Sequence, residues 1–171
     1  MAPQYMLGNE VIAHACLEAN LDFASGYPGT PSSEVIDVLR YQKERDFHIE
    51  WSVNEKVAFE NALAAAWCGL RSLVTMKHVG LNVAADPLMT SAYTGVTGGF
   101  VILSADDPLH TVHRMNRTAG AMPILQRFPV LTLRHYRKRM RWSLGLFPSL
   151  RSLAFRSSSG RQPEYAIQKV M

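Results

Sequence analysis

The sequence predicts an α/β fold, a parallel sheet with helices on both faces, over residues 1–108, followed by an unstructured basic tail over 109–171. Three observations carry this. Short apolar runs alternate with helical patterns up to Pro108, a spacing that suits a parallel sheet covered on both faces. The loops after three of the expected strands are rich in glycine, proline and polar residues. Charge also divides the chain. Residues 1–108 hold 6 Lys/Arg against 13 Asp/Glu, whereas 109–171 hold 12 Lys/Arg and a single acid, Glu164. The mildly basic total conceals this, so the two parts are read separately.

The elements follow in order. Asn9 to Ala19 has the apolar spacing of an amphipathic helix, with Val11, Ile12, Ala15 and Leu17 among its apolar positions. Leu21 to Ser25 is a strand that runs into the loop Gly26 to Glu34, where two prolines and two loop glycines dictate a defined shape. Ser32 or Ser33 is placed to cap a helix from Glu34 to Gln42. Ile49 to Val53 is the next strand. Asn54 is the expected cap of an alanine-rich helix from Glu55 to about Trp67, whose small residues permit close packing. Arg71 to Met76 is a strand and Lys77 to Gly80 its loop. Leu81 to Tyr93 is helical, with an interruption expected at Asp86-Pro87, because proline disfavours the helical state in the residue before it. Phe100 to Ser104 is an apolar strand. Beyond Pro108 neither period persists, Arg134 to Arg141 is a dense basic run, and Ser157 to Gly160 is loop-like.

Several function classes are set aside. No apolar run has the length to span a bilayer, and the N-terminus lacks the basic start and apolar stretch of a signal peptide, so a cytoplasmic location and no membrane partner are expected. Cys16 and Cys68 are expected as two buried thiols, too far apart to hold an iron–sulfur cluster. No His/Cys/carboxylate group has metal spacing, and no phosphate-binding glycine loop is present. Open parallel sheets bind ligands at the carboxyl ends of their strands. The loops Gly26 to Glu34, Ser52 to Glu55 and Lys77 to Asn82 occupy those ends and define the candidate pocket.

Four stretches in these regions carry a family likeness. Tyr27-Pro28-Gly29-Thr30-Pro31-Ser32-Ser33-Glu34 resembles a loop of the 2-oxoacid:ferredoxin oxidoreductases. The stretches Glu50 to Ala58, Thr75 to Ala84 and Ser104 to Pro108 resemble more narrowly the indolepyruvate:ferredoxin oxidoreductase alpha subunit. The likeness runs through nearly all of residues 6–108 in the expected order. It implies the pyrimidine-binding (Pyr) domain of a thiamine-diphosphate enzyme that oxidatively decarboxylates aryl pyruvates to aryl-acetyl-CoA with ferredoxin as acceptor. Glu55 matches the family glutamate that hydrogen-bonds the cofactor's aminopyrimidine ring, and is the catalytic candidate. From position alone, a carboxylate there is equally what a helix start favours. Tyr27 and Asn82 are the other cofactor candidates. Thr30 matches a threonine that contacts the substrate carboxylate, and turn chemistry beside Pro31 is its ordinary alternative. Lys77 and His78 are further substrate-binding candidates, although a lone lysine or histidine at a strand end is more often a satisfied structural group. The magnesium ion and 4Fe-4S clusters of the family belong to regions with no counterpart here. A beta subunit, a second alpha subunit, ferredoxin and CoA are the partners implied for the complete enzyme, and the chain by itself is expected to be inactive.

Two other readings stand beside this one. The domain could serve another thiamine-diphosphate 2-oxoacid decarboxylase or oxidoreductase. Alternatively, the basic tail could bind nucleic acid electrostatically, although it lacks a recognition fold or regular aromatic spacing. The tail has a further explanation, an out-of-frame translation. The family continues after Asp106-Asp107-Pro108 with a segment resembling His-Ser-Ser-Gln-Asn-Glu-Gln-Asp. Permitted codons for His113 to Thr118, read from the third base, give Gln-Asn-Glu-Gln-Asp, and the same frame through His110, Thr111 and Val112 allows His-Ser-Ser. In that frame Ser159 to Ile167 permits Arg-Pro-Thr-Thr-Arg-Ile/Val-Cys-His, which also resembles a family segment.

Overall fold

The computed structural model describes residues 4–42, 46–105, 130–133, 153–157 and 165–169, with side chains over 7–42 and 46–105. The chain order is β1 (Gln4–Met6), α1 (Gly8–Glu18), β2 (Phe23–Gly26), α2 (Ser33–Arg40), β3 (His48–Trp51), α3 (Glu55–Trp67), β4 (Ser72–Lys77), α4 (His78–Val83), α5 (Ala85–Thr94), β5 (Phe100–Ala105), β6 (Val130–Leu133), β7 (Leu153–Ser157) and β8 (Tyr165–Lys169). Five strands form a parallel sheet in the order β3-β2-β4-β5-β6.

The two faces of the sheet are sorted by the period of two along each strand. Leu73, Val101 and Leu103 pack with Val35, Ile36 and Leu39 of α2 and Ile12, Ala13 and Cys16 of α1. Val74, Met76, Phe100 and Ile102 pack on the other face with Ala58, Phe59, Ala62, Leu63 and Ala66 of α3, Leu81 of α4 and Leu88 of α5. Phe59 and Phe100 meet edge to face at 5.2 Å, a geometry that adds about 1 kcal/mol to their burial. The expected parallel sheet with helices on both faces is therefore present.

Local chemistry explains the boundaries. Leu7 donates its N–H to Glu10 Oε2 at 2.7 Å, which closes the start of α1. The Asn54 side chain accepts from the Val57 N–H at 2.8 Å and starts α3 as expected. After α3 the chain reverses at Gly69, whose φ of 89° lies in the left-handed region that glycine tolerates. The serines before α2 behave differently from expectation. Neither hydroxyl caps that helix, because both are used by the loop itself: Ser32 donates to the Gly29 carbonyl at 2.7 Å, and Ser33 accepts the Gly29 N–H at 2.7 Å.

Three more differences concern α4, α5 and the cysteines. Lys77 to Gly80 was expected as a loop, yet Lys77 closes β4 and α4 begins at His78. The interruption falls at Ala84, and Asp86-Pro87 lie inside the first turn of α5. A proline there loses no helical hydrogen bond, because the first-turn amides have no partner within the helix. Cys16 is buried as expected, but Cys68, at the end of α3, is exposed.

Three strands fall within 109–171, where no element was expected. β6 extends the parallel sheet beyond β5, and β7 and β8 form an antiparallel sheet with β1 in the order β1-β8-β7. Backbone pairing to an open strand edge needs no long side-chain pattern, so such pieces leave little periodicity to read. The boundary at 108/109 and the basic run Arg134 to Arg141 lie outside the described residues.

The two thiols provide a direct check of this packing. Burial pushes the Cys16 thiol up to about 12, so at neutral pH it is neither ionised nor accessible. A colorimetric thiol reagent should therefore modify Cys68 alone in the native chain, and both cysteines after denaturation. Equal reaction of both thiols in the native chain would contradict the described core.

Candidate functional site

The order β3-β2-β4 places the switch of chain direction between β2 and β4. The helix after β3 crosses to the opposite face, so the loops leaving β2 and β4 diverge. Such a point opens a crevice at the carboxyl ends of the strands. Gly26 ends β2 and lies in register with Thr75 of β4 and Trp51 of β3. The crevice floor is tight. A Cβ on Gly26 would lie 2.5 Å from Thr75 Oγ1 and 3.2 Å from the Ile36 side chain, so only glycine fits. The Thr75 hydroxyl below it is buried and makes no hydrogen bond among the described residues, and the same is true of Ser104 Oγ on β5.

One wall is the loop Tyr27 to Ser32, held in a single shape by its own polar groups. Besides the two serine contacts, the Ser33 N–H donates to the Gly29 carbonyl at 3.1 Å. Asn9 at the start of α1 donates to the Pro31 carbonyl at 2.9 Å and to Glu34 Oε2 at 2.6 Å. Thr30-Pro31 is a cis peptide bond. Tyr27 and Thr30 are exposed on this loop. Lys77 ends β4 directly opposite: a Cβ on Gly29 would stand 3.6 Å from Lys77 Cβ.

The second wall is the start of α3. Ser25 of β2 donates to the Ala58 carbonyl at 2.6 Å inside the core, tying this turn of the helix to the sheet. Together with the Asn54 cap this fixes the backbone of Glu55. The Glu55 side chain is half-buried and makes no hydrogen bond or ion pair among the described residues. Its carboxylate lies over Gly80 of α4, where a Cβ would come within 2.7 Å of Oε1 and 2.9 Å of Cδ.

The structure thus joins Glu55 to the stretch that begins at Thr75, and Lys77 to the loop of Thr30. His78 is buried, and its Nδ1 has no hydrogen-bond partner among the described residues. Asn82 is not brought to Glu55. It lies on the exposed face of α4 with Val79 and Val83, roughly 200° round the helix from Gly80. Sequence reasoning did not single out Gly80, Gly29 or Asn9. Their signal was present only as membership of the same stretches or, for Asn9, as a helix start.

A separate cluster borders the site on β3. Glu50 accepts from Asn61 Nδ2 at 2.5 Å and from Ser52 Oγ at 3.2 Å, and lies 3.3 Å from His48 Nε2. Partial burial pushes its carboxyl up, but the hydrogen bonds from Asn61, His48 and Ser52 outweigh this and hold it below the usual glutamate range. His48 also stacks on Phe23 at 5.2 Å. No group of three or more His, Cys, Asp or Glu side chains suited to a metal ion occurs among the described residues. No helix among them is long and apolar enough to cross a membrane.

Comparison with known proteins shows what this chain is similar to. No family model matches the chain. The solved 2-oxoglutarate:ferredoxin oxidoreductase from Magnetococcus marinus, with 2-oxoglutarate, coenzyme A and succinyl-CoA bound, superposes with a TM-score of 0.58 at 18% identity, covering 64% of this chain and 19% of that one. At that identity the likeness is one of fold. Sequence similarity goes further. Indolepyruvate oxidoreductase subunit IorA of Thermococcus kodakarensis is 58% identical over 104 residues, 60% of this chain and 16% of the relative. The corresponding subunit of Archaeoglobus fulgidus is 45% identical over 145 residues, 78% of this chain and 23% of the relative, a match longer than residues 1–108. The chain therefore has the fold of a domain of that solved oxidoreductase. In sequence it is similar to part of indolepyruvate oxidoreductase subunit IorA, and it spans about a fifth of the length of the curated relatives it matches.

The Glu50 cluster predicts a pH dependence with a definite sign. A carboxyl whose folded value lies below its unfolded value of about 4.3 contributes stability above that pH, which is lost as pH falls through the folded value. Glu50→Gln should lower the melting temperature at pH 7, and the gap to the native chain should close below about pH 4. A gap unchanged down to pH 3 would refute the hydrogen-bonded carboxylate.

Proposed function

We propose that this chain supplies the pyrimidine-binding part of a thiamine-diphosphate site in an indolepyruvate:ferredoxin oxidoreductase. The observation that carries the reading is Glu55. A half-buried carboxylate with no partner among the described residues, at the carboxyl edge of a parallel sheet, suits a hydrogen bond to a nitrogen heterocycle. The four stretches of likeness and the IorA relatives support the same reading. Thiamine diphosphate, when bound, supplies the activated carbon centre that decarboxylation of a 2-oxoacid requires.

The roles of the residues follow from their places. Glu55 accepts a hydrogen bond from the aminopyrimidine ring and holds or returns its proton. Tyr27, at the mouth of the crevice, lies alongside the cofactor. Thr30 and Lys77, on facing walls, bind the substrate carboxylate, with the Lys77 ammonium providing the opposite charge. His78 lies behind them, where a bound group could satisfy Nδ1. The outward position of Asn82 favours contact with another part of the assembly over the cofactor role first assigned to it. The described residues offer neither a metal-binding group nor a glycine-rich phosphate loop, so the diphosphate and magnesium fall to another domain or subunit. The relatives are named as a subunit, and we assign the beta subunit, a second alpha copy, ferredoxin and CoA as partners of the complete enzyme. This chain alone would then have no oxidoreductase activity.

Residues from about 109 onward we read as an out-of-frame continuation of the same gene, on the strength of the two frame-shifted segments and the charge reversal. The relatives' alignments that extend past 108, and the pairing of β6 with β5, are the observations against which that reading is to be tested. Sequencing the gene decides it: the shifted frame should run open through both segments, and an early stop codon overturns the idea.

The functional reading is tested in the frame-restored subunit together with its partner. That enzyme should reduce ferredoxin with indolepyruvate and CoA. Glu55→Gln should lower turnover by about 10²–10⁴-fold, the usual contribution of a positioned proton-transfer group. Native turnover in that variant would remove Glu55 from the site.

A further inference from the structure

We infer that Gly80 is a positioning residue that sets where the Glu55 carboxylate stands. Gly80 lies within α4, and its backbone is not in the left-handed region, so the conformation does not require it. A glycine inside a helix is destabilising relative to alanine, because it loses more chain entropy on folding. The sequence therefore places glycine where alanine would make the better helix.

The missing Cβ is accounted for from α3. The three nearest atoms to a Cβ built on Gly80 all belong to Glu55: Oε1 at 2.7 Å, Cδ at 2.9 Å, and Cγ closer still. These distances lie below any real Cβ contact. Because Cγ is included, rotating the terminal carboxylate is not enough, and the whole side chain must swing away. The Glu55 backbone cannot follow, since the Asn54 cap and the Ser25 hydrogen bond to Ala58 hold that turn of α3. Gly80 thus forms a shelf one methyl group deep, on which the carboxylate rests at the edge of the sheet. Any side chain at 80 would turn the carboxylate out of this place while leaving the fold intact. The functional weight of the contact rests on the reading of Glu55 given above; the contact itself does not.

The test uses the full chain in four forms: native, Gly80→Ala, Glu55→Ala, and the double variant. Removing the Glu55 side chain should free Gly80→Ala to raise the melting temperature by about 2–4 °C through helix propensity. In the native background the same change should give no gain or a loss. Glu55→Asp keeps a carbon at the Cγ position, the point of closest approach, so in that background Gly80→Ala should still give no gain. The second readout is the Glu55 side-chain carboxyl resonance by carbon NMR, assigned with Glu55→Ala, which Gly80→Ala should shift. A merely structural glycine would not move it. Equal thermal effects of Gly80→Ala in both backgrounds, or an unmoved carboxyl resonance, would overturn the proposal. Should Glu55→Gln leave the restored enzyme at native turnover, the cofactor reading falls while a shifted resonance still establishes the shelf.

Discussion

The site depends above all on how closely α3 lies against the sheet. Ala58, Ala62 and Ala66 present methyl groups where larger residues would hold the helix away, and all three are fully buried. This closeness lets Ser25, in the middle of β2, reach the Ala58 carbonyl at 2.6 Å. A buried hydroxyl without a partner would cost on the order of 1–3 kcal/mol, so the bond fixes the helix as well as satisfying the serine. With α3 lowered onto the sheet, its first turn stands level with the strand ends. Glu55 is the first residue of that turn.

The same constraint reaches the opposite wall. The Thr75 hydroxyl, the Ile36 side chain and the Thr75 carbonyl stand so close to Gly26 that they leave no room for a side chain at the crevice floor. The loop above it then depends on backbone and short polar side chains for its shape. Gly29, Ser32, Ser33 and Asn9 supply those hydrogen bonds locally, and the side chains of Tyr27 and Thr30 are exposed and make no hydrogen bond among the described residues. Such a loop is preorganised: its shape is held before any ligand arrives, so little ordering remains to oppose binding.

Exposed apolar residues accompany the site. Val53 follows β3, Val79 and Val83 lie on the outer face of α4, and Met89 and Tyr93 lie on α5. Scattered exposed apolar residues are ordinary, but Val79 and Val83 share α4 with Gly80, beside the Glu55 carboxylate.

The sequence by itself determined what local chemistry controls. The alternation of strands and helices, the Asn54 cap, the alanine face of α3 and the apolar β5 are each written in adjacent residues, and each is found where expected. So are the loops after β2 and β3, because parallel strands joined by helices leave their carboxyl ends on one edge; Lys77 to Asn82 also stands at such an end, but as the close of β4 and the body of α4. The tertiary structure alone decided what faces what. That His78 opens a helix and is buried, that Asn82 turns outward, that the serines close a loop instead of capping α2, and that Gly80 lies beneath Glu55 all follow from strand order and helix rotation. Those are set by packing between segments far apart in the chain. A pattern of 3.6 or of 2 tells which side of an element is apolar, but not which distant residue will meet it.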